Sequence, residues 1–436
     1  MKTGSVIRKI GVRGLLLAVL MATAAGPAAA QIPAPAQERP IALVGGTLHT
    51  VSGGVIEGGT IVFDNGVITA LGRDVEIPAG AERIDVTGRH IYPGLIDAYS
   101  MMGISEIGAF AQTVDVRELG DINPNARAAV AFNPESRHIG VARSNGVLVT
   151  VSSPGGGLIA GQASTMMLDG WTWEEMTLDP SVGLVVQWPW TRDESRYLDG
   201  IRQLREAFAD ARAYRTAVRA GEGLHDFDSR WDAMIPVLDG ELPVIVAADE
   251  VRQIQDAVTW AEEEGVRLII RGGRDAGYIA EQLAERRVPV IVTPVIAAPG
   301  RAWEPYDASY ALPATLYRAG VPFAISGESS PAYANRLPYE AGAATAFGLP
   351  ADEALKAVTL YPAQILGLDG RIGSLEVGKD ATLFITTGDP LEYASVVEQA
   401  FIEGRKIDMM DAQRSFFEKY REKVRRTSAR SGTTDD

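Results

Sequence analysis

Hydrophobic and polar positions follow two different patterns along the chain. Between Ile41 and Val86, short apolar stretches of period two are separated by glycine-rich turns, one of which contains Asn65 and Gly66. An Asn-Gly pair between apolar runs is a strong signal of a β-hairpin. This segment therefore predicts a small unit of short strands.

From about Ile91 the pattern changes, and continuous apolar runs alternate with stretches of helical periodicity. The runs are typical of strands buried on both faces of a parallel sheet. They are Tyr92–Ile96, Val147–Val151, Gly183–Val186, Pro243–Val246, Leu268–Ile270, Pro289–Val292 and Val321–Ile325. The amphipathic helices predicted between them are Asp193–Ala220, Val251–Glu264, Gly277–Arg286 and Pro313–Ala319. Repetition of strand and helix over roughly 270 residues favours an α/β fold of the (β/α)8 TIM barrel type over an open sheet.

Strand patterns return after Gly378, and the chain then ends in a charged amphipathic helix. The strands are predicted at Ala381–Ile385 and Ala400–Lys406, and the helix at Asp411–Arg426. Its apolar stripe consists of Phe416, Phe417, Tyr420 and Val424. We expect this stripe to pack on its own domain rather than on a partner, and the polar residues after it to fray.

The first 30 residues are typical of a secretory signal peptide. A basic start with Lys2 and Arg8 precedes the apolar run Gly14–Ala25, and Ala28 and Ala30 form a small-x-small cleavage site. The run is shorter than the ~20 residues that a membrane span needs. The sequence thus predicts an exported, periplasmic protein cleaved after Ala30, with no membrane insertion afterwards. An uncleaved anchor is the alternative.

The amino-acid composition excludes several kinds of catalytic and binding site. The 436 residues contain no cysteine, which excludes disulfides, thiolate zinc sites and a cysteine nucleophile. The net charge of −15 argues against nucleic acid as a partner, because phosphate backbones require clustered basic residues. Only four histidines are present, and they bear directly on any metal chemistry.

Three segments carry a family resemblance. They are Tyr92–Ala98 (YPGLIDA), Asn335–Ala341 (NRLPYEA) followed by Ala354–Ala363, and Gly373–Ala381 (GSLEVGKDA). In this order and spacing they resemble the amidohydrolase superfamily, close to its imidazolonepropionase-like branch, over about residues 41–407. The resemblance implies a metal-dependent hydrolase of non-peptide C–N bonds, with zinc as the family cofactor. It also implies a TIM barrel with a small composite β-sandwich built from both chain ends.

The resemblance and the sequence pattern together suggest five segments. We expect the signal peptide at residues 1–30, the first part of the β-sandwich at 31–90 and the barrel at 91–366. The second part of the sandwich is expected at 367–410, and the terminal helix with its polar tail at 411–436.

The resemblance breaks down at the metal ligands. Strand one of the family ends in Asp-x-His-x-His, and the matching residues here are Asp97, Tyr99 and Met101. The histidine positions of strands five and six match Ala247 and Gly272. Glu328 replaces the aspartate of strand eight, and Gln187 is the nearest polar residue to the bridging ligand of strand four.

The histidines do not restore the ligand set. None of His49, His90, His138 and His225 ends a predicted barrel strand. A catalytic zinc needs three protein ligands and an open position. We therefore expect no bound metal or other cofactor.

The remaining acidic residues allow two interpretations. Asp97, Asp249 and Glu328 would approach the barrel mouth, where carboxylates act as general acid and base or hold a cation through oxygen. Alternatively, Asp97 binds backbone amides, Asp249 caps the helix beginning near Val251, and Glu328 forms a structural ion pair with an arginine, Arg271 or Arg274.

The mouth is also the predicted ligand pocket. Its candidate lining residues are Tyr99, Met101, Gln187, Trp188, Arg271 and Ser329. Aromatic residues in the loops either line such a pocket or cap the barrel core. They are Trp171, Trp173, Trp188, Trp190, Trp303, Tyr306 and Tyr310. We interpret the loop Pro154–Gly157 as a turn or hinge rather than a phosphate cradle.

Two functions remain. The first is an exported amidohydrolase-like protein that binds a small molecule without chemistry, or supports an intact relative in a homo- or hetero-oligomer. The second is an active, divergent amidohydrolase that uses Glu328 with Asp97 or Asp249.

Overall fold

The computed structural model describes residues 32–221, 226–327 and 330–431, and two eight-stranded sheets form its framework. The predicted signal peptide lies outside this range. The chain begins with strands of the first sheet: β1 Ile41–His49, β2 Val55–Asp64, β3 Val67–Gly72, β4 Glu82–Asp85 and β5 His90–Pro93. The β2–β3 turn is the predicted Asn-Gly pair, with Asn65 at φ +48° and Gly66 at φ +82°.

The second sheet is the barrel, and its strands are neighbours in chain order. They are β6 Leu95–Ser100, β7 Val147–Ser152, β8 Ile159–Met167, β9 Thr177–Gln187, β10 Val244–Ala248, β11 Leu268–Gly272, β12 Val290–Val292 and β13 Phe323–Ile325. The gap between β13 and β6 is bridged by backbone, since the N–H groups of Ile325 and Ile96 donate to the carbonyls of Ala357 and Val358 at 2.8 and 2.9 Å. The sheet is thus nearly closed, and the predicted barrel is confirmed.

One strand departs from a regular (β/α)8 pattern. β8 runs antiparallel to both β7 and β9 and was not among the predicted strands. The connection from β7 to β8 spans only residues 153–158, too few for a crossover helix, so the chain must turn back. Gly156 and Gly157, at φ +85° and +72°, make that turn. The predicted turn at Pro154–Gly157 is confirmed.

The last strands return to the first sheet. β14 Leu383–Thr386, β15 Val397–Ile402 and β16 Arg405–Lys406 extend it in the order β16-β15-β14-β5-β1-β2-β3, and β4 pairs with β1. β14 lies antiparallel to β5, which joins the two ends of the chain. The predicted β domain built from both chain ends is therefore confirmed, as one continuous sheet rather than the two separate sheets of a sandwich.

Helices surround the barrel. They are α1 Ala128–Ala131, α2 Arg137–Arg143, α3 Trp173–Met176, α4 Glu194–Ala220, α5 Ser229–Asp232, α6 Ile235–Leu238, α7 Val251–Glu264, α8 Ala280–Glu285, α9 Ala308–Ala319, α10 Leu337–Ala346, α11 Ala351–Lys356, α12 Leu360–Leu366 and α13 Ala412–Ser431. Short 3-10 turns occur at Ala111–Thr113, Ala276–Ile279 and Pro331–Arg336. The predicted α4 and α7 are confirmed within a residue.

The barrel interior is a layered apolar core. Alternate residues of the strands point inward, such as Val185, Ile245, Ile269 and Ile291, and α12 closes the amino end with Ile365. A larger cluster fills the space between the strands and the helices. The barrel is therefore a packed core, and any chemistry must lie at its ends.

The terminal helix α13 does not pack as expected. Its first turn is held by Arg414, whose guanidinium donates to the carbonyl of Val397 at 3.1 Å. The apolar stripe beyond it is more than half exposed. The expectation that this stripe docks on its own domain is therefore wrong. None of the helices within the described ranges is long and apolar enough to cross a membrane.

Candidate functional site

Three neighbouring barrel strands end at the same level. Gln187 of β9 is in register with Ala247 of β10, and Ala247 with Arg271 of β11. These residues follow the inward-pointing Val185, Ile245 and Ile269 by two positions, so they share the interior face of the barrel. Gln187 and Arg271 are thus placed at the carboxyl-end mouth, as predicted from the strand alignment.

A guanidinium occupies the centre of this mouth. The Cζ atom of Arg271 lies 4.1 Å from the ring centroid of Tyr99, which is a close cation–π contact. Its Nη2 donates to Oε1 of Gln187 at 3.3 Å. Its Nε is buried and has no hydrogen-bond partner among the described residues. Arg271 therefore connects β6, β9 and β11 across the barrel.

Asp97 is fully buried on β6, two residues before Tyr99. Its Oδ1 accepts hydrogen bonds from the Ser326 hydroxyl and, at 3.3 Å, from the backbone N–H of Gly327. Its Oδ2 has no partner within the described ranges. Burial raises the pKa of the Asp97 carboxyl to about 6, helped by the charge of Glu340, whereas the Ser326 hydroxyl and the backbone groups of Gly327 and Tyr99 lower it. The expected backbone contact of Asp97 is present, together with a titration near neutral pH.

Ser326 connects the two ends of the barrel sheet at this point. Its hydroxyl accepts the N–H of Tyr99 at 2.9 Å and lies 3.0 Å from the Tyr99 carbonyl, besides its contact with Asp97. Ser326 was not among the predicted site residues. The available signal was its position directly after an apolar strand, where a small hydroxyl can reach the next strand.

Asp249 faces a different strand end. Its Oδ1 accepts the backbone N–H of Arg274 at 3.4 Å and lies over Gly272. The helix cap predicted for Asp249 is wrong, because Glu250 is the N-cap residue of α7 and shares a capping box with Gln253. No hydrogen bond joins Asp249 to Asp97 in the part of the chain that the structure describes.

Gly272, at the position of a family histidine, cannot simply regain a side chain. Its φ of +93° is a conformation that other residues rarely adopt. A Cβ atom at this position would lie 2.5 Å from Oδ1 of Asp249. A histidine at position 272 would therefore adopt a strained backbone conformation and require the Asp249 side chain to move.

The other predicted pocket residues are dispersed. Met101 follows β6, and its Cε would lie 3.6 Å from a Cβ on Gly155 in the β7–β8 loop. Trp188 does not line the mouth, because it points outward into the helix layer, where its Nε1 donates to the Tyr197 hydroxyl at 3.2 Å. Glu328 and Ser329 lie outside the described residues.

Four of the seven loop aromatics follow neither expectation, whereas Trp173, Trp188 and Tyr310 pack in or against the hydrophobic core. Trp171, Trp190, Trp303 and Tyr306 are all more than 60 % exposed, so they neither line a closed pocket nor cap the core. Tyr310 packs against Phe347, with ring centroids 5.0 Å apart.

None of the three described histidines contacts Asp97, Tyr99 or Arg271. His49 and His90 belong to the β domain, where their ring nitrogens are 2.9 Å apart, and burial lowers the pKa of His49 to about 4. His138 contacts the carbonyl of Glu106 at 3.0 Å. His225 lies outside the described residues.

The residues present do not fit the zinc centre that the resemblance implies. Within the described ranges, no group of three histidine or carboxylate side chains could hold a metal ion. The side chain at the centre of the mouth is a cation, Arg271, which would repel a metal ion.

A buried glutamate, Glu340, stabilises the loop after β12 near the mouth. It was not among the predicted site residues either. Oε2 of Glu340 accepts the backbone N–H groups of Val295 and Ile296 at 2.8 and 2.6 Å, which holds the loop after β12. Glu340 lies in the NRLPYEA segment, so the resemblance contained the signal for it.

Comparisons with known proteins agree with this architecture. Residues 315–409 match the Amidohydrolase family. An amidohydrolase of known structure from Thermotoga maritima is 27 % identical, with a TM-score of 0.78, and the similarity covers 84 % of this chain and 99 % of that one.

Curated relatives show the same similarity at the level of sequence. An imidazolonepropionase from Acidiphilium cryptum is 26 % identical over 400 residues, covering 82 % of this chain and 94 % of that protein. The amidohydrolase tasK of Hapsidospora irregularis is 24 % identical over 396 residues, or 79 % of this chain. The matched region spans only 39 % of the length of tasK.

Proposed function

This chain belongs to the amidohydrolase superfamily, in its imidazolonepropionase-like branch, and on that premise we propose that it binds a small molecule at the barrel mouth without a binuclear metal centre. The ligand class suggested by the superfamily is a cyclic amide or a related compound with a non-peptide C–N bond. The basic, apolar and small-residue pattern of residues 1–30 supports an exported, periplasmic form.

The position of Arg271 carries this proposal. Two unit charges 4 Å apart interact by about 4 kcal/mol at the effective dielectric constant of a protein surface, and a divalent ion would double the repulsion. The guanidinium is also held in place by Tyr99 and Gln187. A metal ion would have to displace a cation that is already bonded on two sides.

Metal content is the direct test. The protein without residues 1–30 would be purified without chelator, supplied with zinc, dialysed and measured by plasma mass spectrometry. A superfamily member with intact histidine ligands, treated in parallel, is the positive control. We expect far less than one equivalent of metal here. About one equivalent or more, with turnover that a chelator abolishes, would contradict the proposal.

Binding would then be tested with cyclic amides by calorimetry. Arg271→Met, which removes the guanidinium, should weaken a ligand that occupies the mouth. Arg318→Met is the matched control, because Arg318 is exposed on α9. If the protein requires an intact relative, co-purification from periplasm should yield a hetero-oligomer. Recovery of only a monomer or homo-oligomer would exclude the partner role, and small-molecule binding would remain as the proposed function.

A second candidate, an active divergent amidohydrolase, is favoured by one observation. The raised pKa of Asp97, about 6, suits a general acid or base near neutral pH. In this case Asp97→Asn and Glu328→Gln should abolish turnover of a cyclic amide, with unchanged circular dichroism. Asp249→Asn tests whether Asp249 takes part in the reaction as the second acidic group. Its carboxylate contacts the backbone N–H of Arg274 rather than Asp97. Unchanged turnover in Asp97→Asn would exclude Asp97 from the chemistry.

A further inference from the structure

A large cavity lies at the end of the barrel opposite the mouth. Its volume is about 740 Å³, and its lining includes the residues that lead into or begin four consecutive strands, namely Pro243, Leu268, Pro289 and Phe323 of β10 to β13. Small-molecule sites commonly measure about 300–1,000 Å³. The cavity is thus large enough for a ligand and is separate from the site proposed above.

The floor of the cavity is apolar. It reaches the barrel interior at Ile269 and Ile365 and the helix layer at Val258 and Ala261 of α7, all of which are buried. Because these side chains come from two different core clusters, the cavity extends between the strands and the helices. An apolar body could occupy this space without leaving a polar group unpaired.

The rim carries positive charge. Three arginines, Arg267, Arg286 and Arg287, line it against a single acidic residue, Glu262. Glu262 is already paired with Nε of Arg286 at 2.9 Å. Nη1 of Arg267 donates to the carbonyl of Glu241 at 3.3 Å. On a chain of net charge −15, this concentration of cations is an exception that favours an anionic ligand.

Arg287 shows two further features. It has no acceptor for its guanidinium among the residues within the described ranges. Its φ of +52° is left-handed, at the position after the end of α8 that glycine usually occupies. The backbone bonds from Arg287 to Ala284 and from Val288 to Leu283, at 3.0 and 2.9 Å, complete this helix end. An arginine at a glycine position that also lines a cavity suggests a role for the side chain itself.

We propose that this cavity is a binding site for a carboxylate with an apolar chain, of the fatty-acid type. The carboxylate is bound by Arg287 and Arg267, and the chain lies on the floor against Val258, Ala261 and Ile365. A guanidinium binds a carboxylate through two parallel hydrogen bonds, which gives the head group its orientation. The proposal does not depend on the function assigned to the barrel mouth.

The test is calorimetric titration of the folded protein without residues 1–30 with decanoate, below its micelle concentration. Decyltrimethylammonium, with the same chain and the opposite charge, is the ligand control. We expect saturable binding of one decanoate and no saturable binding of the cation. No saturation with decanoate, or equal binding of both amphiphiles, would overturn the proposal.

Variants then locate the site. Arg287→Glu should weaken decanoate binding about tenfold or more, as expected when a charged hydrogen-bonding partner is reversed. Arg318→Glu makes the same charge change on a nearby exposed residue that does not line the cavity, and binding should stay unchanged. Ala261→Leu should weaken binding by filling the floor.

Arg287→Gly removes the side chain without disturbing the fold, because glycine readily adopts the left-handed backbone at this position. This variant should also weaken binding while its circular dichroism stays unchanged. Equal affinity in Arg287→Gly and the parent protein would overturn the role of Arg287, and equal affinity in Ala261→Leu would overturn the location.

Discussion

Asp97 should make the stability of the protein depend on pH in a way that a single substitution removes. The carboxyl is fully buried, and its pKa of about 6 compares with an ordinary value of 3.8. Since the folded protein binds this proton more tightly than the unfolded chain, folding is favoured where the carboxyl is protonated. The contribution is fully present below pH 3.8 and is lost as the pH rises through about 6.

The size of the effect follows from the pKa values. A difference of about 2 between folded and unfolded chain corresponds to about 3 kcal/mol, at about 1.4 kcal/mol for each pKa unit. At pH 5 the unfolded carboxyl is already ionised and the folded one is mostly protonated, so about 1 kcal/mol of the total remains. At pH 8 none remains.

Asp97→Asn should remove this dependence. The amide keeps an oxygen to accept the bonds from Ser326 and Gly327, and its NH2 group replaces the Oδ2 atom that has no partner among the described residues. Any cost of this change is the same at every pH. The difference in unfolding free energy between parent and variant should therefore shift by about 1 kcal/mol between pH 5 and pH 8, in favour of the variant at pH 8.

Urea unfolding at pH 5, 6, 7 and 8 measures this difference. Asp74→Asn is the matched control, because Asp74 is exposed and its removal should not alter the slope with pH. A parent–variant difference that stays constant from pH 5 to pH 8 would refute the reasoning, since Asp97 would then titrate outside this range.

Three other substitutions test the structure. Asp169→Ala should reduce the unfolding free energy by about 3–5 kcal/mol in urea titration, because it leaves the buried Arg143 without its carboxylate at 2.8 Å; a loss below about 1 kcal/mol would contradict this. Arg287→Gly should raise the unfolding free energy by up to about 1 kcal/mol by relieving a left-handed arginine, whereas a clear loss would contradict the assigned backbone conformation. Arg271→Met should reduce it by about 1–2 kcal/mol through loss of the contact with Tyr99, and plasma mass spectrometry should still find no zinc; zinc binding by this variant would show that the guanidinium alone excludes the metal.

Hydrophobic patterning predicted most of the barrel but not β8, and the reason is chemical. β8 carries Gln162, Ser164 and Thr165, all buried, so it contains no continuous apolar run. Two of these side chains bind backbone carbonyls: Ser164 donates to Pro180 at 2.8 Å and Gln162 to Pro124 at 3.0 Å. Polar strand residues satisfied in this way look like loop residues in a sequence.

The outward position of Trp188 could have been predicted, whereas the contact of Arg271 could not. Successive strand residues point to opposite faces, so an inward Gln187 places Trp188 in the helix layer. The stacking of Arg271 on Tyr99 depends on closure of the barrel, which brings β11 across from β6. No local pattern in the sequence indicates that these two side chains come into contact.

The departures from the family ligand set are coupled to one another. Arg271 needs Tyr99 as the face on which it stacks and Gln187 as its acceptor, so three strands are adapted to one guanidinium. Gly272 adopts a left-handed backbone under the Asp249 carboxylate, where any larger residue would be strained. Restoring single histidines would therefore place a ligand beside a cation or on a strained backbone. These matched contacts support the proposal that the barrel mouth binds a small molecule without a metal centre.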